Sequence, residues 1–196
     1  MVKLDTETRQ KQIIEVSLRL IKEGGIQNMT MKRIADEVGI SEQAIYRHFD
    51  SKLELLTAII RQFDKHFVSV FSKIKSIENS VQQITQYIDT HLIYFTQNPA
   101  AAAVIFSEEI FQNEETLVQE VKKLLEKRIQ FVTELMQNGQ NRGEIKTEYS
   151  ADTLAVLTLG AMRILITSWR LSNFSFDLKS RSKSIIDDLI KMLQVK

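Results

Sequence analysis

A chain of 196 residues with 43% hydrophobic and 26% charged side chains can bury a substantial core, which argues against intrinsic disorder. It has no cysteine, which excludes disulfides, thiolate metal sites and cysteine nucleophiles, and six glycines with one proline leave little turn material for an all-β fold. With 26 basic and 25 acidic residues the net charge is +1, so binding to nucleic acid has to depend on a local basic face rather than on a global field.

The expected class is therefore all-α, and the elements follow in chain order. Residues 9–23 carry Ile14, Leu18 and Ile21 at helical spacing, with Ile13 and Leu20 widening the stripe. Gly24 and Gly25 end that helix. Thr30 caps a short second helix to about Val38, Gly39 breaks it, and Ser41 caps a third that ends near Phe49. Ser51 and Glu54 form a capping box opening a long fourth helix, with Leu56, Ile60, Phe63, Phe67, Val70 and Phe71 on its apolar face. Ser80 repeats that logic for a fifth helix reaching about Asn98. Asn98 and Pro99 then read as N-cap and first residue of a buried sixth helix lasting to about Gln112. The seventh helix covers 114–137, with Leu117, Val121, Leu124, Leu125, Ile129, Val132 and Met136 inward. A turn over 138–143 leads to an eighth helix over 150–171, and a loop over 172–177 leads to a ninth over 178–193.

No secretory signal is visible in the acidic start of the chain, and no uninterrupted apolar stretch reaches the ~20 residues of a membrane helix. A cytoplasmic protein without a membrane partner is expected. Residues 1–52 are no more basic than the whole, with nine Lys and Arg against eight acids.

One segment carries a specific mechanical pattern. In residues 30–49, Ala35 has to be small where two helices cross, and Gly39 can supply the positive φ of a tight helix–helix turn. Ile45, with Ile34, Val38 and Ile40, packs the second helix onto its scaffold. That spacing suits a helix-turn-helix whose second helix enters the major groove of double-stranded DNA. Taken alone, the pattern also fits an ordinary helical hairpin.

The flanking residues add to it. Leu20 to Gly25, Thr30 to Ser41, and Ile45 through Tyr46, Arg47, His48, Phe49 and Lys52 together resemble the TetR/AcrR family of bacterial repressors. The match covers about a quarter of the chain, with Ile21 in place of the usual Phe and Ser17 in place of a usual Ala. Glu42 and Gln43 stand where that family often has a basic residue followed by Gly or Ala, which points to an altered base preference. The resemblance implies a three-helix DNA-binding domain at 7–67 and a six-helix ligand-binding and dimerisation domain at 68–196. It implies DNA-backbone contacts from Thr30, Lys32, Tyr46, His48 and Lys52, with Ser41 and Ala44 on the same surface. Glu42, Gln43 and Arg47 are the candidates for base edges, because Gln pairs with adenine, Arg with guanine, and Glu accepts from cytosine. Each reads otherwise as a solvated surface residue, the favoured alternative for Glu42, and Phe49 is assigned to the core.

A lone helix-turn-helix covers one half-site, so a homodimer on a near-palindromic operator is expected. Leu157, Gly160, Ala161 and Ile164, with Ile185, Leu189 and Met192, form its expected interface on helices eight and nine. Leu154, Leu165 and Ile186 belong to the same apolar surplus. A hydrophobic or aromatic effector is expected among helices four to eight, near Phe63, Phe67, Tyr87, Tyr94, Phe95, Phe106 and Trp169, with His91, Glu109 and Arg163 as polar contacts. Taken one at a time, each aromatic also fits a plain core position.

An enzyme is the rival reading. A carboxylate-bridged metal oxidase needs Glu three residues before His, and the residues three before His48, His66 and His91 are Ile45, Phe63 and Ile88. His-Glu-x-x-His and Gly-x-Ser-x-Gly are absent as well. No catalytic residue, metal or cofactor is assigned. A helical protein-interaction module is the other alternative.

Overall fold

The computed structural model describes residues 5–106 and 114–195. Among these residues are nine α-helices, one 3-10 turn at Ile26–Asn28 and no strand beyond an isolated bridge between Ile145 and Gln194. The residues group into two compact units, one within Met1–Phe63 and Pro99–Val121, the other within Asp64–Asn98 and Lys122–Lys196.

The N-terminal unit begins with α1 (Thr6–Gly24), which starts earlier than the apolar stripe suggests because Asp5 Oδ1 accepts from Thr8 N at 2.9 Å and caps it. Helix α2 (Met31–Val38) is capped by Thr30, whose hydroxyl accepts from Arg33 N, and α3 (Glu42–Tyr46) by Ser41, whose hydroxyl accepts from Ala44 N. Both caps stand where the sequence puts them. Helix α3 stops at Tyr46, three residues short of the expected end. Ile13, Leu20, Ile34 and Ile45 are fully buried and Ala35 nearly so. Ile and Leu side chains removed from water in this way contribute about 1.5–3 kcal/mol each.

Helix α4 (Lys52–Lys75) begins at the expected box: Ser51 Oγ accepts from Glu54 N at 3.1 Å, while the Glu54 carboxylate reaches back to Asp50 N rather than to Ser51. It is one unbroken helix, and its first half lies in the N-terminal unit and its second half in the other. Helix α6 (Pro99–Ile105) buries Ala100, Ala101 and Ala102 and packs on α1. The sequence boundary at 67/68 thus differs from the grouping in two ways. The break falls at 63/64, and α6 with the start of the next described helix, as far as Val121, joins the N-terminal unit. A continuous helix carries no compositional mark of a boundary.

The C-terminal unit holds the rest of α4, α5 (Ser80–Gln97), most of α7 (Glu115–Asn141), α8 (Ala151–Leu171) and α9 (Leu178–Leu193), with α5 packed on both α8 and α9. The cap of α5 is Asn79, which accepts from Gln82 N at 2.9 Å; Ser80 is instead its buried first residue. Helix α7 runs through the expected turn as far as Asn141. Leu125, expected inside, is 46% exposed, whereas Arg128 is buried. The buried stripe holds Leu117, Leu124, Val132 and Met136 as expected, and it is widened on one side by Arg128, Phe131 and Leu135.

Candidate DNA interface and effector site

Helices α2 and α3 join through Gly39, which sits in the left-handed region at φ 75° and ψ 35°. Its N–H donates to Ala35 O at 2.9 Å, and Ile40 N donates to the same carbonyl at 3.0 Å, so the turn closes the end of α2. A Cβ on Gly39 would meet nothing within 4 Å, so the backbone angle, not space, calls for glycine. With Ile45 fully buried beneath it, α3 turns Glu42, Gln43, Tyr46 and Arg47 to solvent. Thr30, Lys32 and Ser41 are also exposed, while Ala44 and His48 are half-buried and Phe49 is core. Gln10 on α1 donates to His48 O at 3.2 Å and pins the end of the recognition segment. Lys52 is half-buried and donates to Ile26 O at 2.9 Å, and burial holds its ammonium below the usual lysine value. This lysine therefore clips the turn before α2 to the start of α4, whatever else it touches.

In the C-terminal unit the aromatic candidates converge on α4, α5 and α7. The Phe67 and His91 rings stack at 3.9 Å, His91 lies 4.2 Å from Tyr87, and Tyr94 packs 5.4 Å from Phe67 and 5.5 Å from Phe95. Phe71 and Phe131 stack at 4.0 Å and adjoin Tyr87 at 5.9 and 5.8 Å. His91 Nδ1 lies 2.8 Å from Tyr87 O, and burial pushes the imidazole pKa down to about 3, so it is neutral. Burial raises the Tyr87 phenol well above its usual value, and its hydroxyl is buried without a hydrogen-bond partner among the described residues.

The Arg128 guanidinium lies 4.6 Å from the Phe71 centroid and 5.2 Å from that of Phe67, and donates to Asp64 at 3.2 Å. Lys127 donates to the other oxygen of Asp64 at 2.6 Å, and Lys75 pairs with Glu134 at 2.7 Å. A cleft of about 300 Å³ opens here between α4 and α7, lined by Phe71 and Phe131 with Lys75, Lys127, Arg128, Asp64 and Glu134.

Of the other effector candidates, Phe63 and Phe106 lie in the N-terminal unit. Trp169 packs on Phe174 at 4.7 Å and donates to Phe176 O, while Arg163 is exposed on α8. Glu109 falls outside the described residues. Sequence reasoning missed Asp64, Lys75, Lys127, Arg128 and Phe131. The signal for Arg128 was present as a charged residue on an apolar stripe, four residues after Leu124 and seven before Leu135.

Comparison with known proteins assigns the family. The profile described as bacterial regulatory proteins, tetR family, matches residues 13–59, and that described as YsiA-like protein, C-terminal region, matches residues 42–192. The chain belongs to the TetR family. Like other members of this family, it is a DNA-binding transcriptional regulator, which sets aside the enzyme reading. The nucleoid occlusion factor SlmA of Glaesserella parasuis is 30% identical over 64% of this chain, and the match spans 63% of that protein's length. The fold is that of the FadR regulator of Bacillus subtilis crystallised with stearoyl-CoA, at TM-score 0.81 and 21% identity over 93% of this chain and 98% of that one. It is also that of AibR, crystallised with isovaleryl coenzyme A and operator DNA, at TM-score 0.74 and 22% identity over 95% and 98% of the two chains.

In this TetR family chain an apolar face on α8 and α9 faces solvent. Leu157 is 55% exposed, Ile164 68%, Ile185 46% and Met192 69%, with Gly160 open and Ala161 and Leu189 half-buried. Leu154 and Ile186, part of the expected apolar surplus, are instead intrachain core. By length and composition Ala151–Leu171 is apolar enough to cross a membrane, though Arg163 and Arg170 interrupt it, and a third of its apolar stretch is buried.

Proposed function

We propose that this regulator is a homodimeric repressor that leaves a palindromic operator when a long-chain acyl thioester of coenzyme A binds its C-terminal unit. The carrying observation is the cleft between α4 and α7, where three cations, outnumbering the two carboxylates they pair with, line a stacked phenylalanine pair. An apolar floor with a cationic rim suits an amphiphile with an anionic head, and the names of the FadR and AibR complexes supply the chemical class. An acyl chain entering here has to part Phe71 on α4 from Phe131 on α7. Such a ligand favours one position of α4 over another, which a ligand bound equally to both states could not do.

The solvent-facing apolar residues of α8 and α9 support the dimer, since adjacent exposed apolar groups of this size mark an interface more often than a free surface. Two recognition helices set roughly 34–36 Å apart then read two half-sites, in the cytoplasm where DNA is accessible. Thr30, Lys32, Tyr46, His48 and Lys52 are assigned to the phosphate backbone, Ser41 and Ala44 to the same DNA-facing surface, and Glu42, Gln43 and Arg47 to base edges.

The test begins with an operator selected from a random pool of DNA duplexes. Palmitoyl-CoA is expected to release the protein from it, and coenzyme A alone is not. If palmitoyl-CoA binds and the DNA complex persists, the effector role is wrong; if no duplex is enriched, the operator reading is wrong.

A further inference from the structure

We propose that Arg128 is the specificity-determining and coupling residue of the effector site: it is held by Asp64 of α4 in the effector-free protein and is handed to an acceptor oxygen of the effector on binding. This rests on the reading above that an acyl-CoA enters between α4 and α7.

The geometry around Asp64 is asymmetric. Its carboxylate takes Lys127 on one oxygen at 2.6 Å and Arg128 on the other at 3.2 Å. The shorter contact is with Lys127, whose side chain is 60% exposed, so Asp64 keeps a cation when Arg128 departs. Arg128 is in the opposite position, with a side chain only 7% exposed and its guanidinium against Phe67 and Phe71 of α4. Taking a buried charge from its partner is strongly unfavourable unless another acceptor arrives. A thioester carbonyl or a phosphate oxygen is such an acceptor, and an alkane is not. The site thereby discriminates between a plain hydrophobe and one with a polar end.

A second group points to the same place. Tyr87, on α5, adjoins both rings of the Phe71–Phe131 pair, and its hydroxyl is buried with no hydrogen-bond partner among the described residues. A buried donor left unpaired has lost its water and gained nothing in return. A carbonyl oxygen arriving from the cleft can accept from this hydroxyl and from Arg128 together. Because Asp64, Phe67 and Phe71 are all on α4, the exchange loosens that helix from α7, and α4 continues without a break to Lys52 beside the recognition segment.

The test uses the full-length protein, palmitoyl-CoA and the selected operator. Asp64→Asn removes the competing carboxylate charge, so it is expected to bind palmitoyl-CoA about tenfold more tightly and the operator about tenfold more weakly, because coupling between two sites is reciprocal. A purely structural role for Asp64 would weaken the fold without any gain in ligand affinity. Tyr87→Phe is expected to keep or raise the melting temperature, since the lost hydroxyl had no partner, yet to weaken palmitoyl-CoA about tenfold. Arg61→Gln, which breaks the pair between α4 and Glu120 of α7 outside the cleft, serves as control with unchanged palmitoyl-CoA affinity.

If the wild type binds palmitoyl-CoA but neither Asp64→Asn nor Tyr87→Phe alters that affinity, the exchange is refuted while the effector reading stands. If the wild type does not bind palmitoyl-CoA, the effector reading falls and takes the exchange with it.

Discussion

The recognition segment and the aromatic core between α4, α5 and α7 are both built around buried side chains, but their parts lie at very different distances along the chain. From the Thr30 cap to Arg47 the recognition segment takes 18 residues, and its turn is closed by bonds from Gly39 and Ile40 to Ala35. The core joins Asp64 to Arg128, Phe71 to Phe131 and Phe67 to His91, pairs separated by up to 64 residues. The first region presents its polar groups to solvent, where they wait for DNA. The second encloses a guanidinium, an imidazole and an unpartnered phenol among rings, where each polar group has to be answered by a neighbour or by a ligand.

The largest effect expected from that contrast concerns the core. Phe131→Ala removes one ring of the stacked pair and is expected to cost about 3–5 kcal/mol of stability in thermal or denaturant unfolding. A loss under 1 kcal/mol would mean the ring pair is loosely held and the core less distinct from the head than its packing indicates.

Arg47→Ala acts on the exposed side. It is expected to weaken operator binding by about 1–3 kcal/mol and to relax preference at one base position, with stability nearly unchanged. Equal weakening across all sequences would move Arg47 to the phosphate contacts.

Next comes pH. His91 is neutral in the fold with its pKa lowered from 6.5 to about 3, so the unfolded chain binds the extra proton. Its contribution is complete above pH 6.5 and declines as pH falls toward 3, by about 1.4 kcal/mol per pH unit at most. The drop in melting temperature from pH 7 to pH 5 should be smaller in His91→Phe than in the wild type. An identical drop in both would place that imidazole in contact with water.

The smallest effect is at Lys52. Replacement by alanine should flatten the plot of log operator affinity against log salt by about 0.9 if its ammonium meets a phosphate. An unchanged slope with a lower melting temperature would leave Lys52 only the task of clipping Ile26.

The same contrast explains what was legible in the sequence. Thr30, Gly39, Ser41 and Ser51 announce the head because a cap or a left-handed turn is a local event, decided within about four residues. Helix count and order were readable for the same reason. The end of α3, the extent of α7 and the cap of α5 were displaced by a few residues, since neighbouring side chains such as Asn79 compete for the same free backbone groups. The aromatic members of the effector site could be named from their concentration along the chain. Of the polar groups there His91 could be named too, whereas Asp64 and Arg128 could not, because they become a pair only once α4 lies beside α7. Trp169 and Arg163 resemble the residues of that aromatic core in composition and differ only in where packing sends them. The apolar residues of α8 were legible as a surplus, yet which of them turn outward was set by the contacts of α8 with α5 and α9.

The most direct test is a titration of the protein bound to its selected operator, followed by fluorescence anisotropy of the labelled duplex as palmitoyl-CoA is added. The account predicts full release at saturating palmitoyl-CoA and none with coenzyme A alone. A duplex that stays bound while palmitoyl-CoA occupies the protein would contradict it.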